Sequence, residues 1–339
     1  MKKYSEKYIN WLLRKSIKVN KKKQKNNKKR NNSTHIRVKD QYGRFHKLKS
    51  IVKYFVAPSN FSLINNTEET IDYFNNIINY FRYSNHRFNT LYFDVGNIKY
   101  ITIDAIMYLL AIIYNINNIE NNIVRVKGNL PIDENIREVF IKSRFTNILE
   151  NDEFNSLKGN KGILSGNNIN STVIGDVIQA MISHFNNPEK TNFSYLYNTL
   201  IELMENTISH AYINSYFMMN RWYLYIDYSN KISVTFVDTG SGIPETINKK
   251  YIENVSDFFL KNKNTHYILS ALKGEYRTRT KEKYRGKGLP QIFQYHKENK
   301  IKKLKIISCK EKVDMDMKRD YSLNIKSYLK GTVFYWEID

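Results

Sequence analysis

The chain has 339 residues, of which 41% are hydrophobic, and a formal net charge of +22. That length allows two or three domains with real cores, and the single cysteine, Cys309, excludes an internal disulfide and a cysteine-built zinc site. The longest apolar run, Ala105 to Tyr114, is far below the ~20 residues a spanning helix needs, and no secretory signal is legible, so the sequence predicts a soluble, cytoplasmic protein.

The charge is unevenly placed. Residues 1–50 carry 18 Lys/Arg against 2 Asp/Glu, a contribution of +16, which leaves +6 on the other 289. Within this basic arm (1–49), Lys21 to Arg30 has no apolar residue. Such a segment cannot offset its own ordering entropy and is expected to be disordered alone. Three readings stay open for it. It is compositional drift in a Lys-, Asn- and Ile-rich chain, a salt-dependent contact with nucleic-acid phosphates, or a contact with an anionic membrane surface. For the last, Tyr4, Tyr8, Trp11 and Leu12 share one face of a short helix.

Residues 50–150 alternate between strand and helix patterns. Val52 to Phe61 is strand-like and contains Pro58. Ile71, Phe74, Ile77, Ile78 and Phe81 recur at helical spacing across 68–81. Leu91 to Asp94 reads as a short strand ending in an acid, Thr102 to Ile116 as a buried helix, Ile123 to Val126 as a strand, and Asp133 to Phe145 as an amphipathic helix. Strands alternating with helices argue an α/β fold class. The run Leu91-Tyr-Phe-Asp-Val-Gly-Asn-Ile-Lys-Tyr-Ile-Thr-Ile-Asp-Ala105 resembles the STAS-like domains, the fold of anti-anti-sigma factors. In that family a phosphorylated serine opens the helix after the acid-ended strand. Here Thr102 and Asp104 stand near that place without a Ser-Ser or Ser-Gly pair, and they read as caps of the helix.

The stretch 151–171, rich in Asn, Gly and Ser, reads as a linker or long loop. Beyond it, Val173 to Phe185 and Phe193 to Tyr212 read as helices. Trp222 to Tyr228 and Ile232 to Asp238 read as strands joined at Ser229-Asn230, and Lys303 to Cys309 and Thr332 to Ile338 as further strands. Pro290 to Asn299 suits a helix with proline in its first turn.

Three pieces of this half fit one ligand. Glu202, Asn206 and His210 stand four apart, on one face of a helix. They offer a carboxylate to take a proton from water or a hydroxyl, an amide oxygen suited to a hard cation such as magnesium, and an imidazole that is either a ligand or packed. Asp238 ends a strand, and a buried carboxylate there accepts from the exocyclic amine of adenine. Gly240 and Gly242 follow it, ahead of Ile243, and let backbone approach a base. Arg285-Gly286-Lys287-Gly288-Leu289 precedes the Pro290 helix and exposes amides to phosphate, with Lys287 either adding a charge or simply solvated. Thr332 follows Gly331 at the start of the last strand and is placed to support Asp238.

This ordered set resembles the GHKL superfamily of DNA gyrase, large heat-shock chaperones, MutL-type proteins, histidine kinases and anti-sigma serine kinases. Glu-x-x-x-Asn-x-x-x-His-Ala-Tyr over 202–212 is most similar to the anti-sigma serine kinases. The resemblance implies a Bergerat-type α/β sandwich with a mixed sheet over 172–339. It implies ATP and Mg2+ as cofactors, Glu202 as general base and Asn206 as magnesium ligand. Asp238 would be the adenine acceptor, and Gly240, Gly242, Gly286 and Gly288 the frame of base and phosphates. Thr332 matches the last box, and 245–284 would be an ATP lid holding Arg277 and Arg279. Three functions follow: a slow Mg-dependent ATPase acting as a nucleotide-gated switch, a partner-switching protein serine/threonine kinase, or a non-hydrolysing sensor or nucleic-acid-binding effector. A protein partner or homodimer fits each.

Overall fold

The computed structural model describes residues 35–39, 45–49, 51–83, 89–118, 124–151, 157, 159–185, 193–210, 221–251, 266–275, 288–316 and 322–338, with side chains except at 35–39, 45–49, 83, 89, 150, 151, 210 and 248–251. The protein is a mixed α/β structure with several sheets. The arm at 1–34, Arg277, Arg279, Gly286 and Lys287 lie outside the described residues. Among the described residues no helix is long and apolar enough to cross a membrane.

The first half follows the expected alternation. A hairpin of β1 (His35–Lys39) and β2 (Phe45–Lys49) precedes β3 (Ile51–Val56), β4 (Asn60–Phe61), α1 (Thr67–Tyr83), β5 (Asn89–Asp94), β6 (Tyr100–Ile101), α2 (Ile103–Asn117) and β7 (Arg125–Gly128). Strands β3, β5 and β7 pair in that order, all parallel, because a single crossover helix returns the chain for another strand in the same direction. The amphipathic stretch expected from Asp133 to Phe145 is two helices, α3 (Glu134–Lys142) and α4 (Phe145–Asn151). Asp133 caps the first, accepting from the Ile136 amide at 3.1 Å. Arg144, with φ of 67°, ends the run and turns the chain.

The second half contains β8 (Lys161–Gly166), α5 (Ser171–Phe185), α6 (Ser194–His210), β9 (Trp222–Asp227), β10 (Ile232–Asp238), α7 (Ile243–Tyr251), α8 (Tyr267–Leu272), α9 (Gly288–Lys297), β11 (Lys302–Asp314) and β12 (Ser322–Ile338). Its five-stranded sheet has the order β11-β12-β10-β9-β8. Two expectations are corrected here. Every pairing in this sheet is antiparallel, where the resemblance implies a mixed sheet. Among the described residues two helices lie between β8 and β9, and an even number leaves the chain entering in the opposite direction. The expected linker also holds a structural strand, since β8 forms the sheet's edge beside β9. Its flanking glycines and asparagines hide it in the sequence, yet Gly166 is needed as glycine: a Cβ there would lie 2.7 Å from Trp222 Cζ2.

Residues on alternate faces of this sheet enter different cores. Trp222, Leu224, Val234, Phe236, Phe334 and Trp336 pack with α5, α6, α8 and α9. Tyr223, Tyr225, Val237, Ile307 and Val333 join the core built by α1 and α2. Residues of both 50–150 and 172–339 therefore meet in the core of α1 and α2, and the second stretch builds a further core with its own helices. Burial on both faces explains why residues 222–226 read as an unbroken apolar run.

Buried polar contacts fasten the halves together. Tyr108 Oη donates to the Lys330 carbonyl at 2.5 Å, Asn75 Nδ2 to that of Tyr328 at 2.9 Å, and Asn115 Nδ2 to Thr239 Oγ1 at 3.3 Å. Thr102 and Asp104 do not cap α2 with their side chains. Thr102 makes no side-chain cap and donates to Ser62 Oγ at 2.7 Å. Asp104 accepts from the Leu63 and Ile64 amides at 2.7 and 3.2 Å. The two pin the loop before α1, and burial raises the Asp104 pKa against those hydrogen bonds.

Candidate functional site: a carboxylate row and a helix latch

Strand register builds the first part of the site. Asp238 pairs with Thr332, and Thr332 with Ser308. The three lie two residues along from Phe236, Phe334 and Ile306, all of the helix-side core, so they form a row on the face toward α6 and α9. Asp238 is only 6% exposed. The Gly240 amide donates to Asp238 Oδ1 at 2.8 Å, and the Thr332 hydroxyl donates to the same carboxylate. Burial pushes the Asp238 pKa up to about 6, with the Gly240 amide, the Thr332 hydroxyl and Lys330 opposing the rise.

Ser308, which in the sequence is an ordinary strand residue, locks this row. Its Oγ donates to the Gly331 carbonyl at 2.9 Å, lies 3.1 Å from Thr332 Oγ1, and accepts from the Ile243 amide at 2.9 Å. Only the strand pairing reveals it. Gly242 sits above, with φ of 88°, and a Cβ there would lie 2.7 Å from both Ser308 Oγ and Cys309 Sγ. Gly331-Thr332 does not open a strand, as expected from the sequence. It lies in the middle of β12, at a bulge where Ser308 faces Thr332 but Cys309 faces Leu329. Gly331 takes φ of 95°, and its missing Cβ would be 2.1 Å from the Asp238 carbonyl oxygen. Beside the bulge, Tyr328 Oη donates to Glu245 on the first turn of α7.

The second part is a latch between two helices. On α6, Asn206 Nδ2 donates to Glu202 Oε1 at 3.4 Å. The Glu202 carboxylate also accepts from the Gly288 amide at the first turn of α9. Burial and then Glu205 raise the Glu202 pKa, while Asn206 and Gly288 oppose the rise. The Gly288 amide, expected to face phosphate, is thus held by Glu202. Leu289 and Ile243 pack against the helix-side core. His210 is the last residue of α6, and its side chain lies outside the described residues.

A cavity of about 320 Å³ lies elsewhere, lined by Phe93, Leu109, Ile113, Val126, Phe140 and Leu149 among others. Among the described residues its lining is mainly apolar and has no carboxylate, so it does not suit a magnesium-bound nucleotide triphosphate. Among the described residues no group of three or more His, Cys, Asp or Glu is arranged to hold a metal. No family model, curated protein or solved structure matches the chain.

Proposed function

We propose that the second half of the chain is a GHKL-like ATP site, and that the protein is a slow Mg-dependent ATPase acting as a nucleotide-gated switch beside a STAS-like first half. The observation that carries this reading is the buried Asp238 carboxylate at the end of β10, held by a backbone amide and a threonine hydroxyl. A carboxylate offers about four acceptor sites, so three donors, the Gly240 amide and the hydroxyl and amide of Thr332, leave room for an adenine amine. Guanine carries a carbonyl at that position and would meet the carboxylate without a donor.

The remaining residues fit the triphosphate and its cation. Asn206 uses its amide nitrogen on Glu202, which leaves Oδ1 as an oxygen ligand of the kind magnesium prefers. Magnesium, when bound, would neutralise phosphate charge. Burial and Glu205 raise the Glu202 pKa, which makes its carboxylate a stronger proton acceptor. Its bond to Gly288 adds a gating step: Glu202 releases the α9 amide when it turns to a nucleophile, freeing a helix N-terminus for anionic oxygen. Thr332 and Ser308 hold Asp238 in place and the Gly242 turn over it.

Incubation of the intact protein with γ-labelled ATP separates the alternatives. Free phosphate is the expected product. Label on a protein hydroxyl would replace the ATPase with the serine/threonine kinase, and binding without either product would leave a sensor.

A further inference from the structure

The parallel sheet β3-β5-β7 has two unlike faces. Phe55, Leu91 and Phe93 enter the core, where Phe55 meets Tyr80 of α1 edge-on at 5.7 Å. The register pairs Val52 with Thr90 and Tyr54 with Tyr92 across β3 and β5. It pairs Thr90 with Arg125 and Tyr92 with Lys127 across β5 and β7. Because side chains alternate, Val52, Tyr54, Val56, Tyr92, Arg125 and Lys127 share the opposite face with the buried Thr90 and with Asp94, and Tyr92, Arg125 and Lys127 are half-buried there. Val52, Tyr54 and Val56 are 43%, 59% and 61% exposed. The Tyr54 and Tyr92 rings stand 5.0 Å apart, tilted by 43°.

Parallel sheets ordinarily bury both faces, and an exposed apolar patch rimmed by polar groups marks a binding surface. Two features say what covers this one. Paired tyrosines on a sheet, beside two cations one strand over, match the stacked bases and phosphates of a single strand. The strongly basic residues 1–50, with their +16, run directly into β3 at Ile51. We propose that this face is a platform for single-stranded nucleic acid. Tyr54 and Tyr92 stack bases, while Arg125, Lys127 and the basic arm meet phosphates. Duplex, whose bases are already stacked, gains only the phosphate part. The platform stands whether or not the second half binds ATP, since it uses none of that site's residues.

The test is fluorescence anisotropy of the full chain with a labelled oligo-uridine RNA, its single-stranded DNA counterpart and a duplex, at low and physiological salt. Single strands should bind more tightly than duplex. The Tyr54→Ala/Tyr92→Ala pair should lose at least about tenfold in affinity for single strands with an unchanged salt slope. Tyr54→Phe/Tyr92→Phe keeps both π-faces and should bind normally, and thermal melting of both variants controls for folding. Deleting residues 1–34 should flatten the salt dependence. The proposal is overturned if the alanine pair, still folded, binds like the parent, or if duplex binds as well as single strand. It is equally overturned if the protein retains no RNA at low salt, or if the alanine pair abolishes binding to phosphatidylserine vesicles or self-association in its place.

Discussion

Replacing Gly288 with alanine puts a methyl group where Glu202 already is. A Cβ built at Gly288 would lie 1.7 Å from Glu202 Cγ, 1.9 Å from Cδ and 2.0 Å from Oε1. Ordinary carbon contacts begin near ~3.5 Å, so the glutamate must swing away and give up the Gly288 amide. A lost hydrogen bond to a charged group costs about 1.5–3 kcal/mol, which is the expected destabilisation of Gly288→Ala. In a Glu202→Ala background the obstacle and the bond are both gone. There Gly288→Ala should cost nothing, and the better helix propensity of alanine should return up to ~1 kcal/mol. Urea unfolding of the four proteins closes the double-mutant cycle. An equal cost for Gly288→Ala in both backgrounds would refute the latch.

Three further outcomes are expected. Because the Asp238 pKa is raised to about 6 in the folded protein, the folded state favours the protonated acid. The associated stability is present at low pH and is lost as pH rises from ~4 through ~6, by about 3 kcal/mol at ~1.4 kcal/mol per unit. Asp238→Asn should lack that slope in pH-dependent unfolding and should abolish ATP binding; superimposable stability profiles would discard the buried-acid assignment. Glu202→Ala should retain ATP binding and lose phosphate release, whereas full turnover would remove Glu202 as the base. Gly331→Ala faces backbone rather than a mobile side chain, the Asp238 carbonyl oxygen at 2.1 Å, and starts from φ of 95°. Strain and overpacking together should cost at least ~2 kcal/mol, and an unchanged urea midpoint would contradict the bulge geometry.

What the sequence disclosed follows from which forces act locally. Helical periodicity places α1, α5 and α6 within a few residues, because each needs one apolar stripe that the chain itself displays, and a long apolar run places α2, which is buried on nearly every side. The Trp222–Asp238 hairpin was legible from two apolar runs around Ser229-Asn230. The strand at Lys161–Gly166 was not, since pairing with β9 overrides its glycine-rich composition. Charged residues likewise hid the outer lengths of β11 and β12, where Glu311 is buried only because it accepts from Ser322 Oγ and the Ile268 amide. Helical spacing put Glu202 and Asn206 on one face of α6, where Asn206 donates to Glu202. It could not reveal that Glu202 holds the Gly288 amide, nor that Ser308 completes the Asp238 row, because both are contacts between elements distant in the chain.

The proposed ATP site requires selective ATP binding at Asp238. Isothermal titration calorimetry of the intact protein with ATP and with GTP, each in magnesium, tests it most directly. Saturable heat with ATP, much weaker heat with GTP, and none for ATP with Asp238→Asn is the expected result. No heat with ATP, or equal affinity for GTP, would contradict it.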